Sequence, residues 1–280
     1  MIKDLKKFGF NSENSTYVIA EVGINHGGNV NLAKKIIKSA SKTGANAVKF
    51  QTYITEKRVK KNSPIFEILK KSELAFNDFK TIKDYCDTKK IIFFSTPFDK
   101  ESVNCLNSLN VSLFKVASFD VSNYELLDEV LKTKKPTIVS TGMASLSEIT
   151  KVYKKYKQKN VELALLHCIS SYPNKDESSY LSNISFLKNK FNCEIGLSDH
   201  TNDIKVPIYG YILGAKIIEK HFKINSKHKC VDGPVSITGA QLKKLRLELD
   251  KIDKILNNVQ FGVRKEEKGI KQFKRKKILQ

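Results

Sequence analysis

Eight short apolar runs along this chain each finish in a polar residue able to do chemistry. Their endings are Glu21, the Lys49-Phe50-Gln51 triplet, Ser95-Thr96, Lys115, Ser140-Thr141, His167, Asp199-His200 and His221. Stretches with helical periodicity lie between the runs. One polar strand end says little, but eight in succession, each followed by a helix, constrain the fold severely. Strand and helix in alternation give a parallel sheet, and eight units predict closure into a single-domain α/β (β/α)8 TIM barrel. Active sites of that fold sit at the carboxyl ends of the strands.

The expected strands cover residues 15–22, 45–52, 91–95, 112–116, 137–140, 162–167, 194–197 and 216–221. The first unit is the clearest. Asn29 can cap a helix whose apolar face is Leu32, Ala33, Ile36, Ile37 and Ala40, and Gly44 is the expected left-handed residue that ends it. No GxGxxG fingerprint follows the first strand, which argues against a dinucleotide-binding sheet. Residues 53–72 form a Lys-rich excursion of the kind that covers a barrel site. Residues 1–262 are expected to form the catalytic barrel. Residues 263–280 read as a basic tail or linker.

Composition limits the function classes. At 280 residues and 40% hydrophobic, the chain can bury one large core. No run approaches the roughly 20 apolar residues that cross a bilayer, and Met1 to Lys7 has no apolar signal core behind it, so no membrane association and a cytoplasmic location are expected. The five cysteines show no CxxC spacing and read as reduced thiols. The net charge of +21 permits nucleic acid or anionic small molecules. The lysines are spread along the chain and are not interleaved with aromatics, so no specific nucleic-acid partner is expected.

Side chains two apart on a strand share a face. Lys49 pairs with Gln51 in that sense, and Glu219 with His221. If that face is the barrel interior, two lysines (Lys49, Lys115), two histidines (His200, His221) and two acids (Glu21, Glu219) meet in one pocket. An anionic substrate together with a cation would offset the cost of burying them. His200 and His221 end adjacent strands, and imidazole nitrogen suits a divalent transition metal such as manganese or zinc. Thr96, Ser118, Ser140 and Ser198 add hydroxyls suited to a small molecule that carries both carboxylate and phosphate.

The chain resembles the sialic acid synthase family in an ordered series of segments. They are IAEVGINHGG (19–28), VKFQT (48–52), FSTPF (94–98), KVAS (115–118), IVSTGM (138–143), LLHC (165–168) with Tyr172-Pro173, GLSDHT (196–201) and IEKHF (218–222). The resemblance implies an enzyme that condenses phosphoenolpyruvate with an N-acetylated amino sugar. It implies that His200 and His221 bind Mn2+, and that Lys49, Thr96, Lys115, Ser118, Ser140 and Ser198 hold phosphoenolpyruvate. Gln51, Asp120, Tyr172 and Asp232 would face the sugar, and Glu21 would manage protons or water. The candidate sugars are N-acetylmannosamine and the diacetamido sugars of legionaminic and pseudaminic acid, with a lean to the sialic and legionaminic side. Members usually carry a C-terminal antifreeze-like domain and pair as dimers. Only the barrel part is expected here, with a homodimer or a separate antifreeze-like domain as partner. Asp120 stands where some members have a longer acid, and Ser170 where some have asparagine. Rival readings are a synthase that uses a phosphorylated aldose, and a silent barrel that binds an acidic partner.

Overall fold

The computed structural model describes residues 16–256 and 259–275. The expectations for Met1 to Lys7 and for the last five residues of the tail fall outside them. Eight parallel strands alternate with helices: β1 (Tyr17–Gly23), α1 (Val30–Ala40), β2 (Ala47–Thr52), α2 (Thr55–Arg58), α3 (Phe66–Ser72), α4 (Phe76–Thr88), β3 (Ile92–Pro97), α5 (Lys100–Ser108), β4 (Phe114–Val116), α6 (Tyr124–Lys132), β5 (Thr137–Ser140), α7 (Leu146–Gln158), β6 (Leu163–Cys168), α8 (Ser182–Lys190), β7 (Glu194–Asp199), α9 (Lys205–Ile212) and β8 (Ile217–Lys223). A two-residue strand β9 (Ile237–Thr238) then pairs with β8 and leads into α10 (Gly239–Ile255). The ladder runs β3-β2-β1-β8-β7-β6-β5-β4, with β3 and β4 side by side across the remaining seam. This is the expected (β/α)8 barrel. No helix among the described residues is long and apolar enough to cross a membrane, and among the described residues none of the five cysteines is in a disulfide.

Two-residue periodicity divides each strand between two cores. Outward residues such as Val18, Ala20, Val48, Phe50, Val139, Leu165 and Ile218 pack beneath the helices. Inward residues build the barrel interior, where Tyr17, Ile19, Ala47, Phe94, Leu113, Ile138, Ala164, Leu166 and Ile217 form a second apolar cluster. One step further along most of the strands the inward residue turns polar. Ile19 gives way to Glu21, Ala47 to Lys49, Phe94 to Thr96, Leu113 to Lys115, Ile138 to Ser140, and Ile217 to Glu219 and His221. The apolar layers plug the barrel and the polar layer lies above them.

The first helix departs from expectation at its end. Asn29 caps it, its side chain accepting from Leu32 N–H, but α1 stops at Ser41 rather than at Gly44. Ser41 and Thr43 hydroxyls donate to the Lys38 and Ala40 carbonyls, satisfying acceptors that a further turn would have used. Gly44, with φ +82°, instead serves the turn into β2. At the far end of the chain, α10 is tied to the first strand by Arg246, which donates to the Thr16 carbonyl at 2.9 Å and pairs with Asp250. Residues 265–273 of the expected tail form an exposed 3-10 helix.

Gly196 is the inward residue of β7 below the polar layer. A Cβ there would collide with the Ile217 carbonyl and lie 2.5 Å from Leu166 Cδ2. Neither strand backbone nor a packed leucine can yield much inside a closed barrel. Gly196→Ala should therefore destabilise the fold by about 1–3 kcal/mol, read as a lowered urea midpoint at unchanged slope. A wild-type midpoint would contradict this account of the interior.

Candidate active site

The polar layer opens into a cavity of about 340 Å³ at the carboxyl ends of the strands. Its wall holds Glu21, Lys49, Gln51, Thr96, Lys115, Ser118, Ser140, Tyr172, Ser198, His200, His221 and Asp232. These are twelve of the thirteen site residues expected from sequence. Asp120 is the exception. It sits in the 3-10 turn 118–120 after β4, where its carboxylate accepts from Asn123 at 3.0 Å, next to Ser118 and Phe119, which do line the cavity.

Strand register explains the convergence. Glu21 stands opposite Lys49 on one side and His221 on the other. Gln51 pairs with Thr96, and Ser198 with Glu219. Lys49 Nζ lies 2.8 Å from Glu21 Oε2 and 3.7 Å from Glu219 Oε2, and it donates to Thr96 Oγ1 at 3.0 Å. Lys115 Nζ lies 3.8 Å from Glu219 Oε1 and donates to Ser140 Oγ at 2.6 Å and to the Val116 carbonyl. Ser198 donates to Glu219 Oε1 at 2.8 Å. Both lysines and both glutamates are at most 6% exposed, so solvent does little to screen them.

That crowding drives the two carboxyls apart. Burial raises the Glu21 carboxyl, and the nearby Glu219 charge adds to the rise, against the pull of Lys49. Burial also acts on Glu219, but Lys115 and Lys49 outweigh it and bring this group down to about 2. The two carboxyls thus shift in opposite directions, Glu21 up and Glu219 down, because the lysines crowd Glu219 more closely than burial can offset. Burial pulls the Lys115 ammonium down. Lys49, between two carboxylates, is raised despite the same burial.

The two imidazoles lie side by side, ring centroids 5.4 Å apart, with the Tyr172 ring 4.0 Å from that of His200. His200 Nδ1 donates to the Ile169 carbonyl at 2.8 Å. That bond fixes the tautomer and leaves Nε2 as the lone-pair nitrogen, the arrangement usual for a metal-binding histidine. His221 Nδ1 and Asp232 Oδ2 are 3.4 Å apart, and both are buried without a hydrogen-bond partner. Buried unsatisfied atoms of this kind call for an explanation, and a divalent cation or a ligand bound here would provide one. Among the described residues no three His, Cys, Asp or Glu side chains stand at metal-holding spacing. Two imidazoles would therefore leave most coordination positions to water or substrate.

The other strand-end polar residues point outward and serve the scaffold. Ser95 shares a hydrogen bond with Thr52. His167 Nε2 donates to the Ser179 carbonyl at 2.7 Å. Asp199 accepts from the buried Lys220 at 2.5 Å and from Thr201. His26 stacks on Phe50 and accepts from Gly28 N–H, with burial pushing it down to about 4. His228 is half-buried beside the Ile224 N–H.

Sequence reasoning brings Glu219 into the pocket without assigning it a role, and it misses Cys168 on the wall and above all Arg58. The latter comes from the 53–72 excursion, which folds as α2 and α3 and brings Arg58 and Ile65 to the cavity. Periodicity sets Glu219, two residues before His221, on the same inward face. Nothing local marks Arg58 among the many basic residues around it.

Comparison with known proteins places this geometry in a lineage. The profile of the NeuB family matches residues 36–261. An uncharacterised protein of Methanocaldococcus jannaschii is 40% identical over 244 residues, covering 87% of this chain and 72% of that protein. The N,N'-diacetyllegionaminic acid synthase of Campylobacter jejuni is 34% identical, over 91% of this chain and 80% of its own length. The crystal structure of an N-acetylneuraminic acid (sialic acid) synthetase from Leptospira borgpetersenii, in complex with citrate, superposes with a TM-score of 0.88 at 36% identity, over 93% of this chain and 91% of that one. Family profile, sequence relatives and fold agree, and the chain belongs to the NeuB family, whose named relatives here are synthases.

Proposed function

We propose that this protein condenses phosphoenolpyruvate with an N-acetylated amino sugar, giving a sialic-acid-like keto sugar acid and inorganic phosphate. The observation that carries the reading is the buried set of Lys49, Lys115, Thr96, Ser140 and Ser198, held around the Glu21–Glu219 pair above an apolar plug. Two ammonium groups with several hydroxyls match a small trianion that bears carboxylate and phosphate together. Relatives at similar identity are named for different products, pseudaminic acid at 32% and N,N'-diacetyllegionaminic acid at 34%, so the reading commits to the class of amino sugar.

In the reaction proposed, the methylene carbon of phosphoenolpyruvate forms a bond to the aldehyde carbon of the open-chain sugar, whose oxygen takes up a proton. Water then bonds to the carbon that bears phosphate, and phosphate leaves with the bridging oxygen. Lys49 and Lys115 fix the anion beside its partner, converting an encounter into a positioned reaction, and they balance charge at the oxygens as it shifts. Glu21, raised by burial and next to Lys49, carries the proton between water and the sugar oxygen. A divalent metal, manganese in this proposal, would be held by His200 and His221 and would supply Lewis acidity at the sugar carbonyl. Ser118, which accepts from Gly142 N–H at 3.0 Å, shapes the phosphoenolpyruvate side. Gln51, Tyr172 and Asp232 border the sugar side.

Purified protein given manganese, phosphoenolpyruvate and a panel of N-acetylated and diacetamido hexoses should release phosphate with at least one sugar. Chelation should abolish the release and added manganese restore it. Silence with every sugar, or release that survives chelation unchanged, would contradict the proposal or its metal. Lys115→Ala should raise KM for phosphoenolpyruvate roughly 10-fold or more while moving KM for the sugar much less. Equal rises would remove Lys115 from the anion site. Glu21→Gln should keep the shape of the side chain and both KM values close to wild type, yet lower kcat by roughly 100-fold or more. Turnover near wild type would exclude Glu21 as the proton carrier.

A further inference from the structure

The cavity wall includes a cation that the proposed chemistry leaves unused. Arg58 closes the short helix α2, and its guanidinium lies over the Phe98 ring at 3.7 Å and beside the Tyr53 ring at 4.7 Å. Nη1 donates to Gln51 Oε1 at 2.9 Å. Among the described residues no carboxylate comes within ion-pair distance of it, and of its several N–H donors one is taken by Gln51. A planar cation clamped between aromatic faces, with donors to spare inside a cavity, is built to meet acceptors on a ligand.

The backbone that carries Arg58 is tied down on three sides. Ile54 N–H donates to Asp99 Oδ2 at 2.8 Å, and the same carboxylate caps α5 through Ser102. Thr55 donates to Glu73 through both its N–H and its hydroxyl. Tyr53 OH donates to the Leu69 carbonyl at 2.9 Å. The guanidinium is therefore held in place before any ligand arrives, and the entropy of ordering a long side chain is already spent.

Position decides which ligand it meets. Lys49 and Lys115 are buried at the floor, whereas Arg58 keeps company with Ile65, Phe119 and Tyr172, which are 47%, 67% and 47% exposed and mark the mouth. With two lysines at the floor to meet the anion, the fork of donors at the mouth lies where the second substrate would enter, and a fork suits a neutral group rich in oxygen acceptors. Resting on the function proposed above, we propose that Arg58 is a specificity-determining residue that donates to the acylamino carbonyl and hydroxyls of an unphosphorylated amino sugar, with Gln51 setting its angle.

The test measures KM for each substrate and kcat in wild type, Arg58→Ala and Arg58→Lys, using phosphoenolpyruvate, the responding amino sugar and its 6-phosphate. Circular dichroism melting checks that the variants fold. The expected result is a roughly 10-fold or greater rise in the sugar KM in Arg58→Ala, with KM for phosphoenolpyruvate within about two-fold. Arg58→Lys should rescue little, because an ammonium keeps the charge but loses the fork. Wild-type sugar KM in Arg58→Ala overturns the proposal. So does a loss that falls on phosphoenolpyruvate, full rescue by lysine, or a wild-type preference for the 6-phosphate that Arg58→Ala abolishes. If Arg58→Ala does not fold, Arg58→Lys carries the same comparison. A wild type inactive with every sugar would end both this proposal and the one beneath it, whereas an active wild type with an indifferent Arg58→Ala ends this one alone.

Discussion

Two lysines and two glutamates packed into the buried interior of a barrel form the constraint on which the molecule turns. Moving ions of this size out of water costs several kcal/mol each after relaxation. The distances among Lys49, Glu21, Glu219 and Lys115, 2.8 to 3.8 Å, recover part of that cost. The hydroxyls of Thr96, Ser140 and Ser198 satisfy further donors and acceptors. The array remains incomplete, because Glu219 Oε2, His221 Nδ1 and Asp232 Oδ2 are buried without hydrogen-bond partners. An apolar plug of the same volume would stabilise the fold more cheaply. A site of this kind is kept for what it binds.

The barrel makes the array possible through parity. On each strand one face feeds the helix-covered core and the other feeds the interior, so a single residue of slippage would send a cavity-lining group under a helix. Asp199 and Lys220 show the consequence. They neighbour His200 and Glu219 in sequence, yet they point outward and join β8 to β7 as a buried pair. Adjacent residues thus divide between scaffold and site.

Parity also explains how much was legible in the sequence. Strand periodicity gave the fold, and the strand ends gave the floor of the site, because Lys49, Lys115, Glu21 and His221 lie on regular elements whose facing can be counted. Where regular structure ends, counting fails. His167 and Ser95 share the strand-end signature but have the opposite facing. Gly44 carries a terminator's signature, but neighbouring hydroxyls had already closed the helix. Asp120 was expected at the site and sits beside it, in the 3-10 turn whose Ser118 and Phe119 line the cavity. Arg58 ends a one-turn helix whose placement depends on Asp99 and Glu73, residues 41 and 15 positions away in the numbering. No local pattern encodes such tertiary ties.

The most direct measurement is a crystal structure with phosphoenolpyruvate and manganese, using anomalous scattering to place the metal. The account predicts the ligand's carboxylate and phosphate between Lys49 and Lys115, with the anomalous peak on His200 and His221. Phosphoenolpyruvate bound elsewhere, or a metal remote from both imidazoles, would contradict it.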